Sequence, residues 1–174
     1  LSLVVDYWKS EQKNEVSETE TRDIFRAEEQ FGNSYPQRFG INVVRNSGTN
    51  FVERIVAPKV NAASVDVSGL DLSLGYNFNL YQDIKFYTSV THSLMFEYIV
   101  ESFPGLGKEN RVGFMTQDFG IPYWRNNILI GAGNRVYDVS FLIRTVGETN
   151  ASATSADPGA GGKTRDHTEF DLRV

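Results

Sequence analysis

GLDLSLGYNFNLYQDIKFYTSVTHSLMFEYIV, residues 69–100, alternates between apolar and polar side chains with few interruptions. In its first arm Leu70, Leu72, Leu74, Tyr76, Phe78 and Leu80 interleave with Asp71, Ser73, Gly75, Asn77 and Asn79. Past Tyr81-Gln82-Asp83 the parity resumes. Ile84, Phe86, Val90, Leu94, Phe96, Tyr98 and Val100 share one face, broken by Thr88 and His92. Lys85, Ser89, Thr91, Ser93 and Glu97 share the other, broken by Tyr87, Met95 and Ile99. A period of two marks a strand, because successive side chains leave a pleated ribbon on opposite faces. The stretch therefore predicts a long antiparallel hairpin, apolar on one face and largely polar on the other.

Outward from it, the same alternation recurs. Leu1, Leu3, Val5 and Tyr7 open a strand whose apolar face gives way to Lys9, Glu11 and Lys13. Residues 17–62 form a long polar excursion. Within it SETETRDIFRAEEQFGN predicts a short helix, capped by Ser17 or Thr19 and stopped at Gly32-Asn33. FGINVV and NFVERIV flank Asn46-Ser47-Gly48 as a small hairpin. A second excursion spans residues 101–121. Trp124, Ile128, Ile130 and Ala132 then oppose Arg125, Asn127 and Gly131, and Gly133-Asn134-Arg135 predicts a tight turn. Tyr137, Val139, Phe141 and Ile143 oppose Asp138, Ser140 and Arg144 on the return. A third, low-complexity excursion leads to Phe170, Leu172 and Val174.

Six strands result, joined by connections that alternate long and short. In an up-and-down meander this sets both tight turns at one end and every long loop at the other, the layout of an outer-membrane barrel. From Phe86 to Phe96 is ten steps of about 3.3 Å, roughly 23 Å of height at a 45° tilt. The apolar band of such a barrel is about 25 Å tall. Tyr76, Phe78, Phe86 and Tyr137 fall near the tight-turn end, and Tyr7, Phe96, Tyr98 and Trp124 near the loop end, as two aromatic girdles. A soluble β-sandwich, serving as a binding or adhesion module, would alternate too. Its strands usually run about 5 to 6 residues, whereas these arms run to about 15 by the same alternation.

The chain carries 17 basic and 22 acidic residues in 174, a net charge of -5. It has no basic footprint for nucleic acid. With no cysteine it has no disulfide and no thiolate metal site. No run nears the roughly 18 apolar residues of a transmembrane helix, which leaves strands free to cross a bilayer.

VDYWKSEQKNEV, APKVNAASVDVSGLDLSLGYNF, PYWRNNILIGAG, VYDVSFLIRTVG and TEFDLRV, in that order, resemble the C-terminal half of the barrel of TonB-dependent outer-membrane receptors. Asn61 ahead of Gly69-Leu70-Asp71-Leu72 and the strand opening at Pro122-Tyr123-Trp124-Arg125 carry the most specific part of the likeness. The resemblance implies an all-β, antiparallel up-and-down transmembrane barrel of about 22 strands, plugged by an N-terminal domain. Residues 1–174 would be a partial barrel domain of a longer chain in the outer membrane of a Gram-negative bacterium. Its partners would be outer-membrane lipid, its own plug domain, the TonB complex and a small nutrient ligand. That ligand would be a ferric siderophore, cobalamin, a saccharide or a peptide, imported without catalysis, cofactor or metal.

On this reading Asp71, Lys85, Glu97, Arg125, Asp138 and Arg144 face the lumen, where mixed charges satisfy one another across strands. Phe103, Arg111, Phe114, Phe119 and Tyr123 in the outer loops are the aromatic and basic groups that could grip a ligand. His92 and His167 are the only histidines. They motivate an outer-membrane barrel enzyme as a further alternative, although no Ser-His-Asp trio is selected by the sequence. GAGGKT (residues 159–164) lacks the earlier glycine of a phosphate loop, with Asp157 in its place. Asn150-Ala151-Ser152 is a formal glycosylation triplet in a loop.

Overall fold

The computed structural model describes residues 1–17, 19–81, 83–115, 120–150 and 162–174. The chain is mostly antiparallel β, with one helix. β1 (Ser2–Ser17) is followed by helix α1 (Thr21–Phe31), a 3-10 turn (Pro36–Phe39), β2 (Asn42–Arg45) and β3 (Val52–Val56). Then come β4 (Val60–Tyr81), β5 (Ile84–Glu101), the short β6 (Glu109–Asn110), β7 (Trp124–Gly133), β8 (Asp138–Val146) and β9 (His167–Arg173). The main sheet has the order β1-β4-β5-β7-β8-β9, with β6 pairing onto β5. Its six long strands thus sit beside their neighbours in chain order, the meander that alternation predicts.

Two compact units emerge. The first contains residues 1–10, 67–98 and 110–174, and the second residues 11–66 and 99–109.

In the first unit the register fixes which side chains share a face. Across β5, β7, β8 and β9, Val90 pairs with Ile128, Ile128 with Ile143, and Ile143 with Phe170. One row nearer the turns, Thr88, Ile130, Phe141 and Leu172 line up in the same way. The rows between carry Ser89, Leu129, Leu142 and Asp171, then Thr91, Asn127, Arg144 and Glu169. The apolar side chains are half-buried at Val90, Ile128 and Ile143 and open elsewhere, with 37% exposure at Phe78 and Phe141, 44% at Leu74 and 68% at Leu172. None of these residues belongs to the buried core, so no described element covers this face.

The second unit has a core of its own. α1 buries Asp23, Ile24, Ala27 and Glu28, one stripe of the helix. Ile24, Ala27, Ile41 and Phe103 are 1% exposed or less, and Tyr35, Phe39, Val43, Ile55 and Leu106 pack round them. The predicted helix and small hairpin are both present. The caps differ: β1 runs on to Ser17, the N-cap is Glu20 without a side-chain bond, and Thr19 Oγ1 is buried and unpartnered. The hairpin turn is held by Asn46, whose Oδ1 accepts from the N–H of Gly48 and Thr49 at 2.9 and 3.0 Å.

The second tight turn is also displaced. Gly133 still belongs to β7, and the turn is Asn134 to Tyr137, closed by Asn134 N–H donating to Tyr137 O at 2.7 Å. Asn134 Oδ1 accepts from Val136 and Tyr137 as well, which favours asparagine at this position over the glycine before it. Tyr137 therefore sits in the turn. Gln82 of the first tight turn lies outside the described residues, as do Ala151, Ser152 and Asp157. Lys163 of the GAGGKT stretch is ion-paired to Glu148 at 2.9 Å.

Candidate functional site

The polar face of the sheet is a charge network in part. Arg144 reaches Asp171 at 2.6 Å and Glu169 at 3.3 Å on the neighbouring strand. Ser68 donates its hydroxyl to Glu97 at 2.9 Å. Tyr87 donates to Asp138 at 2.8 Å. These contacts satisfy three of the six charges expected on this face, by the cross-strand pairing that opposite charges and hydroxyls favour. Asp71, Lys85 and Arg125 form no ion pair with the described residues.

Two hollows form where those unpaired charges lie. Asp71 and Arg125 line a cavity of about 260 Å³ with Trp8, Ser93 and Pro122. Trp8 fits there because β4 carries Gly69: a Cβ at that position would stand 2.5 Å from the indole. Lys85 and Asp138 line a cleft of about 370 Å³ with Asn79, Asp83, Tyr87 and Arg135. Alternation puts Lys85 and Asp138 on one parity but does not reveal Tyr87 and Arg135 as their neighbours. The usable signal was Gly131, which pairs directly with Tyr87 and leaves room for its ring.

The loop residues divide. Phe103 is fully buried, its ring 5.0 Å from Phe39 and 6.1 Å from Tyr35, and it serves as the centre of the second unit's core. That burial removes it from a ligand surface. Arg111, Phe114 and Tyr123 gather around Gly113 in the first unit. Gly113 N–H donates to Ile121 O at 2.6 Å, and its φ of +83° suits glycine. A Cβ there would strike the Tyr123 ring. Tyr123 is 53% exposed, and Arg111 keeps its buried Nε without a hydrogen-bond partner. Phe119 lies outside the described residues. Arg111 and Phe114 lie beside Gly113 in the chain and the Tyr123 ring packs against it; a guanidinium and aromatic rings are the groups that suit an anionic or ring-bearing ligand.

His92 lies on the apolar face under Trp124, their rings stacked 6.4 Å apart. Its Nδ1–H donates to Asn126 Oδ1. His167 contacts Glu169 at 3.3 Å. Among the described residues no three His, Asp or Glu side chains gather as a metal site, and no helix is long and apolar enough to cross a membrane.

Comparison of the chain with protein-family models, with curated proteins and with solved structures returned no significant match.

Proposed function

We propose that the chain is a wall segment of an outer-membrane β-barrel that serves as an active-transport receptor, of the kind TonB-dependent receptors represent. The observation that carries this reading is the open apolar face. Leu74, Tyr76, Phe78, Leu80, Phe141, Phe170 and Leu172 are each 37% exposed or more, while Arg144, Asp171, Glu97 and Asp138 occupy the reverse. In water such a face is an aggregation hazard, since large exposed apolar patches mark surfaces meant to be covered. Lipid on one side and an aqueous lumen on the other accommodate both faces without a second sheet.

In this reading Arg111, Phe114 and Tyr123 meet the nutrient, and the cleft of Lys85, Tyr87 and Asp138 lies at the tight-turn rim. Transport draws on energy coupled from the inner membrane, and the segment performs no chemistry of its own. Fractionation of cells making the full-length protein tests the reading. Recovery in the outer membrane, with heat-dependent migration on a gel, is the expected result, and recovery as a soluble periplasmic or cytoplasmic protein overturns it. The transport role is tested by dissipating the proton gradient. Ligand should still bind the cell surface while its accumulation stops.

A further inference from the structure

The apolar face carries one polar row. His92 pairs with Asn126, Asn126 with Thr145, and Thr145 with Thr168, four neighbours in one line across β5, β7, β8 and β9. The rows on the tight-turn side are apolar apart from Thr88, whose hydroxyl donates to Leu129 O at 3.0 Å within the sheet. The row spends little of its own hydrogen-bonding capacity. His92 donates to Asn126 through Nδ1, and the Thr145 and Thr168 hydroxyls share one bond of 3.2 Å. The two amide N–H groups of Asn126 and the second ring nitrogen of His92 have no hydrogen-bond partner among the described residues.

Left in hydrocarbon, each unpaired polar group is strongly unfavourable. The row therefore needs hydrogen-bonding company. In the next row toward the loops Trp124, opposite Leu94, stacks on His92. An indole with an apolar body and an N–H prefers the boundary between hydrocarbon and water.

We infer that His92, Asn126, Thr145 and Thr168 form a contact row for lipid headgroups. Their donors and hydroxyls meet phosphate and ester oxygens, and the hydrocarbon ends at this level of β5, β7, β8 and β9. The inference rests on the barrel reading above. It limits the apolar band on these four strands to the segment between the row and the tight turns, shorter than the Phe86–Phe96 span that alternation alone predicts.

Single nitroxide labels on cysteines introduced at Phe141, Ile143 and Thr145 of the full-length protein test it, in phosphatidylcholine vesicles. The 174 residues here contain no cysteine to compete. Two quantities are read: relaxation of the lipid phosphorus signal by each label, and collision of each label with oxygen against a water-soluble nickel chelate. The label at Thr145 should relax phosphorus several-fold more than the label at Phe141, while Phe141 and Ile143 favour oxygen. Equal or weaker phosphorus relaxation from Thr145 overturns the inference, because the row then lies within hydrocarbon. Strong nickel contact at Thr145 without phosphorus relaxation overturns it too, because the row then faces only water. If Phe141 and Ile143 also fail to favour oxygen, the bilayer reading itself falls.

Discussion

Tyr87 on β5 donates its hydroxyl to Asp138 on β8, at 2.8 Å, across a strand that separates the two. The intervening β7 places Gly131 opposite Tyr87 and Gly133 opposite Asp138. A Cβ at Gly131 would run into the Tyr87 ring, and one at Gly133 would stand 2.5 Å from Asp138 Oδ2. Two missing side chains thus open the path for a bond between strands that are not paired.

Gly131→Val should therefore destabilise the sheet by about 1–3 kcal/mol through overpacking against Tyr87. Tyr87→Phe should cost only about 0.5 kcal/mol, because the hydrogen bond it removes is open to solvent. Adding Tyr87→Ala to Gly131→Val should recover part of the loss. Urea-unfolding midpoints measure all three, and additive losses in the double variant would contradict the steric account.

The two faces should tolerate charge differently. Ile130→Lys points into the open apolar face and should cost about 2–4 kcal/mol in a bilayer-inserted protein. Leu129→Lys, one residue away in the row of Ser89 and Asp171, should cost clearly less. Folding yield into vesicles against urea compares them, and equal penalties would argue for a wall that does not separate lipid from water.

Phe103→Ala should empty the centre of the second unit at a cost of about 3–5 kcal/mol. Trypsin cleavage after Arg22, Arg26, Arg38 and Arg45 should accelerate in proportion. Unchanged cleavage rates would show that Ile24, Ala27 and Ile41 close the core without it.

Lys108 titrates above its ordinary value of 10.5, first because it donates a hydrogen bond to Asp66, at 2.6 Å, and also because Asp66, Glu101 and Glu11 add negative charge nearby. A raised lysine stabilises the folded state fully below 10.5 and loses that contribution as pH climbs through the higher folded value. Wild type and Lys108→Met should accordingly differ slightly in thermal midpoint at pH 7 and converge at strongly alkaline pH. A gap that persists there would assign the effect to the lysine stem packing.

The meander was readable because period-two alternation over long arms admits few other elements, and the sheet follows it strand by strand. The helix and the small hairpin were readable for similar local reasons. The helix cap was misplaced because β1 continues through polar residues to Ser17, and an extended strand of mixed polarity leaves no local mark. Phe103 drew attention as a loop aromatic, and its burial by Tyr35, Phe39 and Ile24 depends on segments far away in the chain. The clefts were hidden for a related reason. Asp71 with Arg125, and Lys85 with Arg135, come together through register, which alternation alone does not specify.

The register of β7, β8 and β9 has a bearing on how such a chain can change over generations. Ile128, Ile143 and Phe170 stand in one line only because each intervening segment has its present parity. Gaining or losing a single codon early in β8 would carry Arg144 to the greasy side beyond that point and turn Phe141 and Ile143 to the polar face. Length variation should accumulate in the long connections, where any number of residues is harmless. Within the strands it should come in pairs, or as a bulge that absorbs the odd residue.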